Sequence, residues 1–255
     1  MPKAVVFFDL DGTLLQEDKS VAASSLKALD QLRKNHVLPV VATGRNIFEV
    51  ANVLKQTNIN TVVSANGSYV QYEGKRLSQA VIPPALIEEL NDYATKHRDP
   101  VAWFNNEAFA LNHETPVTDE NFKLLHLTAH IEPHWYRHHR VNFLFVFNFD
   151  REKHYNDHFA GKLSFVRNNP RGLDTMLAGV TKATGIKTLL SAAKLDHMPT
   201  FGFGDQLNDV PMLQLVDHPI VMGNGDPAVK KLAEYVTASN MTGGIAQGLE
   251  HFGLI

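Results

Sequence analysis

Ala4-Val5-Val6-Phe7-Phe8-Asp9-Leu10-Asp11-Gly12-Thr13-Leu14 runs from an unbroken apolar stretch straight into two aspartates and a glycine. A short, wholly apolar run of this kind predicts a parallel strand covered on both faces. Residues two apart on an extended chain point the same way, so Asp9 and Asp11 project together past the strand's carboxyl end. Open α/β sheets bind their ligands at that end. Two carboxylates side by side repel unless a cation lies between them or one is protonated. A hard cation such as magnesium suits them, because it prefers carboxylate, water and phosphate oxygens. Gly12 lets the chain turn sharply and offers backbone amides to an anion.

Outward from this stretch, strand and helix patterns alternate. Residues 20–34 predict an amphipathic helix, 37–42 a buried strand, 47–56 a helix and 61–64 a third strand. The tail repeats the pattern: helix 182–194, strand 200–203, helix 209–216, strand 219–222, helix 227–232. Such alternation predicts a Rossmann-like α/β core, a parallel sheet with helices on both faces. The middle differs. Runs 101–105, 108–112, 141–149 and 163–167 look like hairpin strands, with helical patterns at 84–97, 116–126 and 150–160. We read an α+β domain at 83–179 inserted into a core of 1–82 and 180–255. Pro83-Pro84 lies near one border, and Gly172 to Thr181 is taken as the other.

A second acidic cluster, Gly204-Asp205-Gln206-Leu207-Asn208-Asp209, follows a buried strand near the end of the chain. Asp205 would complete a carboxylate set around the cation. Asn208 and Asp209 suit more distant support or phosphate contacts. Thr43-Gly44-Arg45 presents a hydroxyl at another strand terminus, and Val180-Thr181-Lys182 sets a cation where a helix begins and the dipole favours phosphate. The plainer alternatives are a turn or cap hydroxyl for Thr43 and a solvated helix lysine for Lys182, while Arg45 is read evenly as a substrate contact or a surface ion pair.

In this order, Asp9-x-Asp11-Gly12-Thr13, Thr43-Gly44-Arg45, Lys182 and Gly204-Asp205-x-x-Asn208-Asp209 resemble the haloacid dehalogenase superfamily. More narrowly, they resemble the Cof-type phosphatases, whose large cap is inserted between the second and third motifs. Asn66-Gly67, Met222-Gly223-Asn224, and Asn240 with Gly243-Gly244 fit the resemblance too. It implies Asp9 as nucleophile and Asp11 as acid and base. It implies magnesium held by Asp9, the backbone carbonyl of Asp11 and Asp205, with Asp209 in support. Gly12, Thr43, Gly44, Lys182 and Asn208 would bind the phosphoryl group, and Arg45 is a possible substrate contact. Ala183 stands where the family usually has glycine, and Gly225 where alanine is common; Lys187 is the alternative to Lys182. The implied activity is hydrolysis of phosphomonoesters of small metabolites: sugar phosphates, or cofactors such as pyridoxal phosphate or FMN. Phosphomutase or phosphotransferase chemistry is the alternative within the superfamily. A non-catalytic phosphate sensor is the alternative outside it.

Composition narrows the partners. The 255 residues carry 24 basic and 27 acidic side chains, a formal charge of −3, so no net field favours nucleic acid or an anionic membrane. Cysteine is absent, which excludes disulfides and thiolate chemistry. With no signal-like start and no membrane-length apolar run, the expectation is a cytoplasmic protein, monomer or homodimer, acting on a small phosphorylated metabolite. Nine of 13 histidines fall in the insertion, four of them at 130, 134, 138 and 139, but Pro133 breaks the helical spacing a zinc site would use. Trp103, Phe104, Trp135 and Tyr136 read as core or as a ring-stacking surface. Trp103, Asn105, His113 and Arg137 are candidates for substrate selection.

Overall fold

The computed structural model describes residues 2–255. In chain order the first elements are β1 (Ala4–Phe8), α1 (Ala23–Lys34), β2 (Val37–Ala42), α2 (Ile47–Thr57), β3 (Val62–Ser64), β4 (Tyr69–Tyr72) and β5 (Lys75–Gln79). Next come α3 (Pro84–His97), β6 (Val101–Phe104), β7 (Phe109–Leu111), α4 (Pro116–Leu124), β8 (Phe143–Phe147), α5 (Glu152–His158), β9 (Leu163–Asn169) and β10 (Gly172–Leu177). The chain closes with α6 (Lys182–Ala192), β11 (Thr200–Gly204), α7 (Val210–Leu213), β12 (His218–Val221), α8 (Pro227–Lys230), β13 (Tyr235–Val236) and α9 (Gly244–His251).

Two compact units result. One comprises residues up to Arg45, Glu49–Ser78 and Thr181–Ile255; the other comprises Asn46–Phe48 and Gln79–Val180. The first holds an eight-stranded sheet in the order β13-β12-β11-β1-β2-β3-β4-β5, parallel from β13 to β3. Helices cover both faces. Ile186 and Leu189 of α6 and Met212 of α7 pack on Val5, Phe7, Val40 and Val63. On the other face α9 brings Gly248 against Phe203 and Ile220. The antiparallel β4–β5 extension is absent from the sequence expectation. Its turn, Glu73-Gly74, has φ of 47° and 79° at the two positions, the hairpin conformation that a glycine eases.

The second unit is a five-stranded antiparallel sheet, β7-β6-β8-β10-β9. One face carries Val101, Trp103, Leu144, Val146 and Leu173 against Ile87 and Leu90 of α3 and Tyr155 of α5. Alternation sends Phe104, Phe143, Phe145 and Phe147 to the opposite face, where Phe109 and Phe122 join them. Within the stretch Gly172–Thr181, Gly172–Leu177 is strand β10, paired with both β8 and β9, and the second unit runs on to Val180. A glycine beside Pro170-Arg171 looks like punctuation. Pairing with β9 across the Pro170-Arg171 turn, and with β8 on the other side, makes the segment extended.

Among the described residues, no helix is long and apolar enough to cross a membrane. The loop after β3 ties the fold to the candidate site. Gly67 sits at φ 97°, and a Cβ there would lie 2.1 Å from the Thr181 carbonyl oxygen that begins α6. Gly67→Ala therefore combines a left-handed alanine with a backbone clash and should destabilise the protein by about 2–4 kcal/mol. Urea unfolding checks this; a cost under about 0.5 kcal/mol would show that α6 moves freely away from the loop.

Candidate active site

Asp9 emerges from the central strand with its amide donating to the Phe203 carbonyl, which fixes the end of β1 against the end of β11 (3.0 Å). Asp205 leaves the end of β11 beside it. Thr13 Oγ1 donates to Asp205 Oδ1 at 3.0 Å, joining the two loops 192 residues apart in sequence. Gly12, at φ 80°, passes so close that a Cβ would lie 2.3 Å from Asp205 Oδ2. Only glycine fits there on both counts. Asp209 turns back toward its own loop, where Oδ2 accepts from the amides of Asp205 (2.9 Å) and Gln206 (3.1 Å). Gly204 leaves room for it.

Lys182 lies in the first turn of α6, whose N-cap Thr181 accepts from the Thr184 amide. The ammonium donates to Asp9 Oδ1 at 2.5 Å and to Asp209 Oδ1 at 2.6 Å, and all three side chains are buried. Lys187, the alternative, is exposed on the same helix. Ala183 does not keep Lys182 from the carboxylates.

Thr43 follows β2, buried, and its hydroxyl accepts from the Arg45 amide at 3.1 Å, which leaves the hydroxyl hydrogen as a donor. Gly44 packs on Asn66, and Asn208 Nδ2 reaches Asn66 Oδ1 at 3.5 Å. The Asn66 amide donates to the Thr43 carbonyl and the Ala65 amide to the Arg45 carbonyl, so the loop after β3 buttresses the loop after β2.

Asp11 is half-exposed and faces two cations. Arg45 grips it bidentately, Nε to Oδ2 at 2.6 Å and Nη2 to Oδ1 at 2.7 Å, while Lys19 Nζ reaches Oδ1 at 2.7 Å. Burial works to raise the Asp11 carboxyl, but Arg45 and Lys19 outweigh it and hold the group below the usual carboxylate range. Asp9 goes the other way, well above that range, because it is buried and Asp209 is close; Lys182 opposes the rise only in part. Asp205 is pushed up to about 6 by burial and by Asp209.

Asp9, Asp205 and Asp209 each offer an oxygen, and these lie within 4.8 Å of one another. Three buried carboxylates facing one ammonium leave an excess of negative charge that a bound cation would offset. The donor set is all oxygen, which suits a hard divalent ion. The Asp11 carboxylate lies outside this group, turned to Arg45 and Lys19; the resemblance assigns a metal contact only to its backbone carbonyl.

Other candidates fall elsewhere. Trp103 is fully buried in the core of the second unit, its Nε1 donating to Asn91 Oδ1, so it cannot present a ring to a ligand. Trp135 and Tyr136 are buried as well, and Asn105 Oδ1 accepts from the Glu107 and Ala108 amides to close a turn. His113 and Arg137 line a depression beside α3 on the helix-covered side of the sheet, where Arg137 pairs with Glu88. His130, His134, His138 and His139 belong to no potential metal-holding group among the described residues. Sequence reasoning missed two contacts: Thr13 on Asp205, and Lys19 on Asp11. The first was readable as part of the glycine-threonine turn; the second had no signal beyond an ordinary loop lysine.

A parallel sheet with an inserted antiparallel unit, and aspartates at the ends of β1 and β11, define a phosphoryl-transfer class of α/β hydrolase. The chain belongs to the haloacid dehalogenase-like hydrolases, whose family model matches residues 6–249. It is 28% identical to the HMP-PP phosphatase of Yersinia enterocolitica over 88% of this chain and 85% of that one. It is 23% identical to the 5-amino-6-(5-phospho-D-ribitylamino)uracil phosphatase YcsE of Bacillus subtilis, covering 97% and 95%. The solved phosphatase BT1666 of Bacteroides thetaiotaomicron shares the fold, with a TM-score of 0.91 and 24% identity over 100% of this chain and 96% of that one. The protein is a phosphatase of this family, with the Cof-type core and cap.

The raised Asp205 gives a signed expectation. Burial and Asp209 push its carboxyl from an ordinary 3.8 up to about 6. Its contribution to stability is therefore full below the lower value and lost as pH rises through the higher. In chelator, Asp205→Asn should be more stable than wild type at pH 7.5, by about 2 kcal/mol, and the gain should vanish near pH 4. Urea titrations at both pH values check it; an equal effect at each would remove Asp205 as the source.

Proposed function

We propose that the protein hydrolyses phosphomonoesters of small metabolites in two steps through Asp9, with magnesium as cofactor. The observation that carries this reading is the Asp9 carboxylate: buried, at the carboxyl end of the central strand, bonded to Lys182 and beside Asp205 and Asp209. In the first step an Asp9 oxygen forms a bond to phosphorus as the bond to the leaving oxygen breaks. Asp11 gives that oxygen a proton. In the second, water attacks the aspartyl phosphate, the bond to Asp9 breaks, and Asp11 takes the water's proton. Thr43, Lys182, Asn208 and the amides of Gly12 and Gly44 bind the phosphoryl oxygens, where positioning and charge stabilisation dominate. Asp9, Asp205 and the Asp11 carbonyl hold the cation, with Asp209 fixing both Lys182 and the Asp205 loop. When bound, magnesium supplies positive charge to the phosphoryl oxygens and lets the crowded carboxylates ionise.

The inserted unit is read as the cap that selects the substrate. One relative is named for a uracil-bearing phosphate. That favours including ring-bearing esters such as pyridoxal phosphate and FMN beside sugar phosphates in a substrate screen. The core is read as the place of the chemistry in every case.

Asp9→Asn should lower turnover about 10⁴-fold or more without lowering the unfolding midpoint. Rapid quench of wild type should trap one phosphoryl group on Asp9, read by peptide mass. A variant that kept more than a few per cent of activity would overturn the nucleophile assignment. Calcium in place of magnesium should support little turnover, because its longer, more numerous contacts misplace the reacting oxygens. Full activity in excess chelator would sink the cation.

A further inference from the structure

The loop between β1 and α1 is built around one contact that the reading above does not use. Asp11 and Leu15 form one isolated bridge, and Leu15 and Val21 a second. The Gln16 amide donates to the Ser20 carbonyl and the Lys19 amide to the Gln16 carbonyl, while the Ser20 hydroxyl and amide both bond Asp18 Oδ1. The result is a tight, internally bonded flap. Lys19 stands at its turn with φ 65°, a left-handed backbone that disfavours a residue with a Cβ. Glycine or asparagine would be easier there. What the lysine does is send its ammonium back to Asp11 Oδ1 at 2.7 Å, opposite the Arg45 fork.

Asp11 consequently accepts three charge-assisted bonds, which hold both its oxygens in one orientation. The donors are placed for the carboxylate, the form in which Asp11 stands before it takes the water's proton in the second step. We propose that Lys19 is a positioning residue for hydrolysis of the phosphoenzyme: it holds the Asp11 carboxylate where it receives a proton from the attacking water. The water oxygen bonds to phosphorus, the bond from phosphorus to the Asp9 oxygen breaks with its electron pair returning to Asp9, and the proton passes to Asp11. This rests on the reading of Asp9 as nucleophile and Asp11 as base.

The test uses Lys19→Met in the full-length protein with magnesium and 2,4-dinitrophenyl phosphate, whose leaving group departs without a proton. Steady-state kcat should fall about tenfold or more, and KM should fall with it, since kcat/KM reports only the first step. Stopped flow should show a burst of one dinitrophenolate per enzyme followed by slow turnover. Lys19→Arg, which keeps a cation at the flap, should restore most of kcat. A fall in kcat/KM equal to that in kcat, without a burst, would place Lys19 in the first step and overturn the proposal. Unchanged kcat would reduce the contact to a surface ion pair and overturn it as well. Asp11→Asn in the same assay separates the two levels. If it leaves kcat intact, the reading of Asp11 as base fails; if it lowers kcat and Lys19→Met does not, only the role of Lys19 fails.

Discussion

The buried ammonium of Lys182, bonded at once to Asp9 and Asp209, is the interaction on which the rest of the structure depends. A lysine with no exposed side-chain surface is tolerable only beside anions, and anions this deep are tolerable only beside a cation. The constraint propagates. α6 must begin where its first residue reaches the end of β1, and Gly67 and Gly185 pack backbone on backbone to let it do so. Asp209 must face inward, and the two amides that bind its other oxygen fix the Asp205 loop. A salt bridge of this kind stabilises little by itself, but it singles out one arrangement of three loops.

Charge is also divided across the site. Asp9, Asp205 and Asp209 are crowded by burial and by one another, which works against ionisation in two of them. Asp11, a few ångströms of chain away from Asp9, sits among cations and is driven toward ionisation. The two neighbouring carboxylates are thus driven in opposite directions by their surroundings.

Much of this was legible in the sequence because the relevant residues stand at strand ends, where pattern and chemistry coincide. The apolar run before Asp9 and the one before Asp205 each announce a buried parallel strand, and a parallel sheet brings their ends together. Lys182 was readable from its place at a helix start. The β4–β5 hairpin and β10 were not, because polar residues and glycines break their apolar pattern and pairing with neighbouring strands is what makes them extended. Lys19 was invisible for a different reason: nothing local marks a left-handed lysine whose partner lies eight residues back. The tryptophans invited a role in binding, but Trp103 fills the interior of its own unit and satisfies its single donor there.

The end of the chain also reaches its beginning. Asn224 Nδ2 donates to the Gly12 carbonyl and Asn240 Nδ2 to the Leu15 carbonyl, 225 residues away, while the Asn240 amide bonds Asn224 Oδ1. The loop carrying Asp9 and Asp11 is thus stitched shut by residues 212 and 225 positions further along the chain. During synthesis β1 must wait, apolar on both faces, for β11 to lie beside it. Contacts of such long sequence separation form late and slowly. Asp9 and Asp11 are made long before the site they belong to comes into being, because it waits for β11 and the Asp205 loop that follows it.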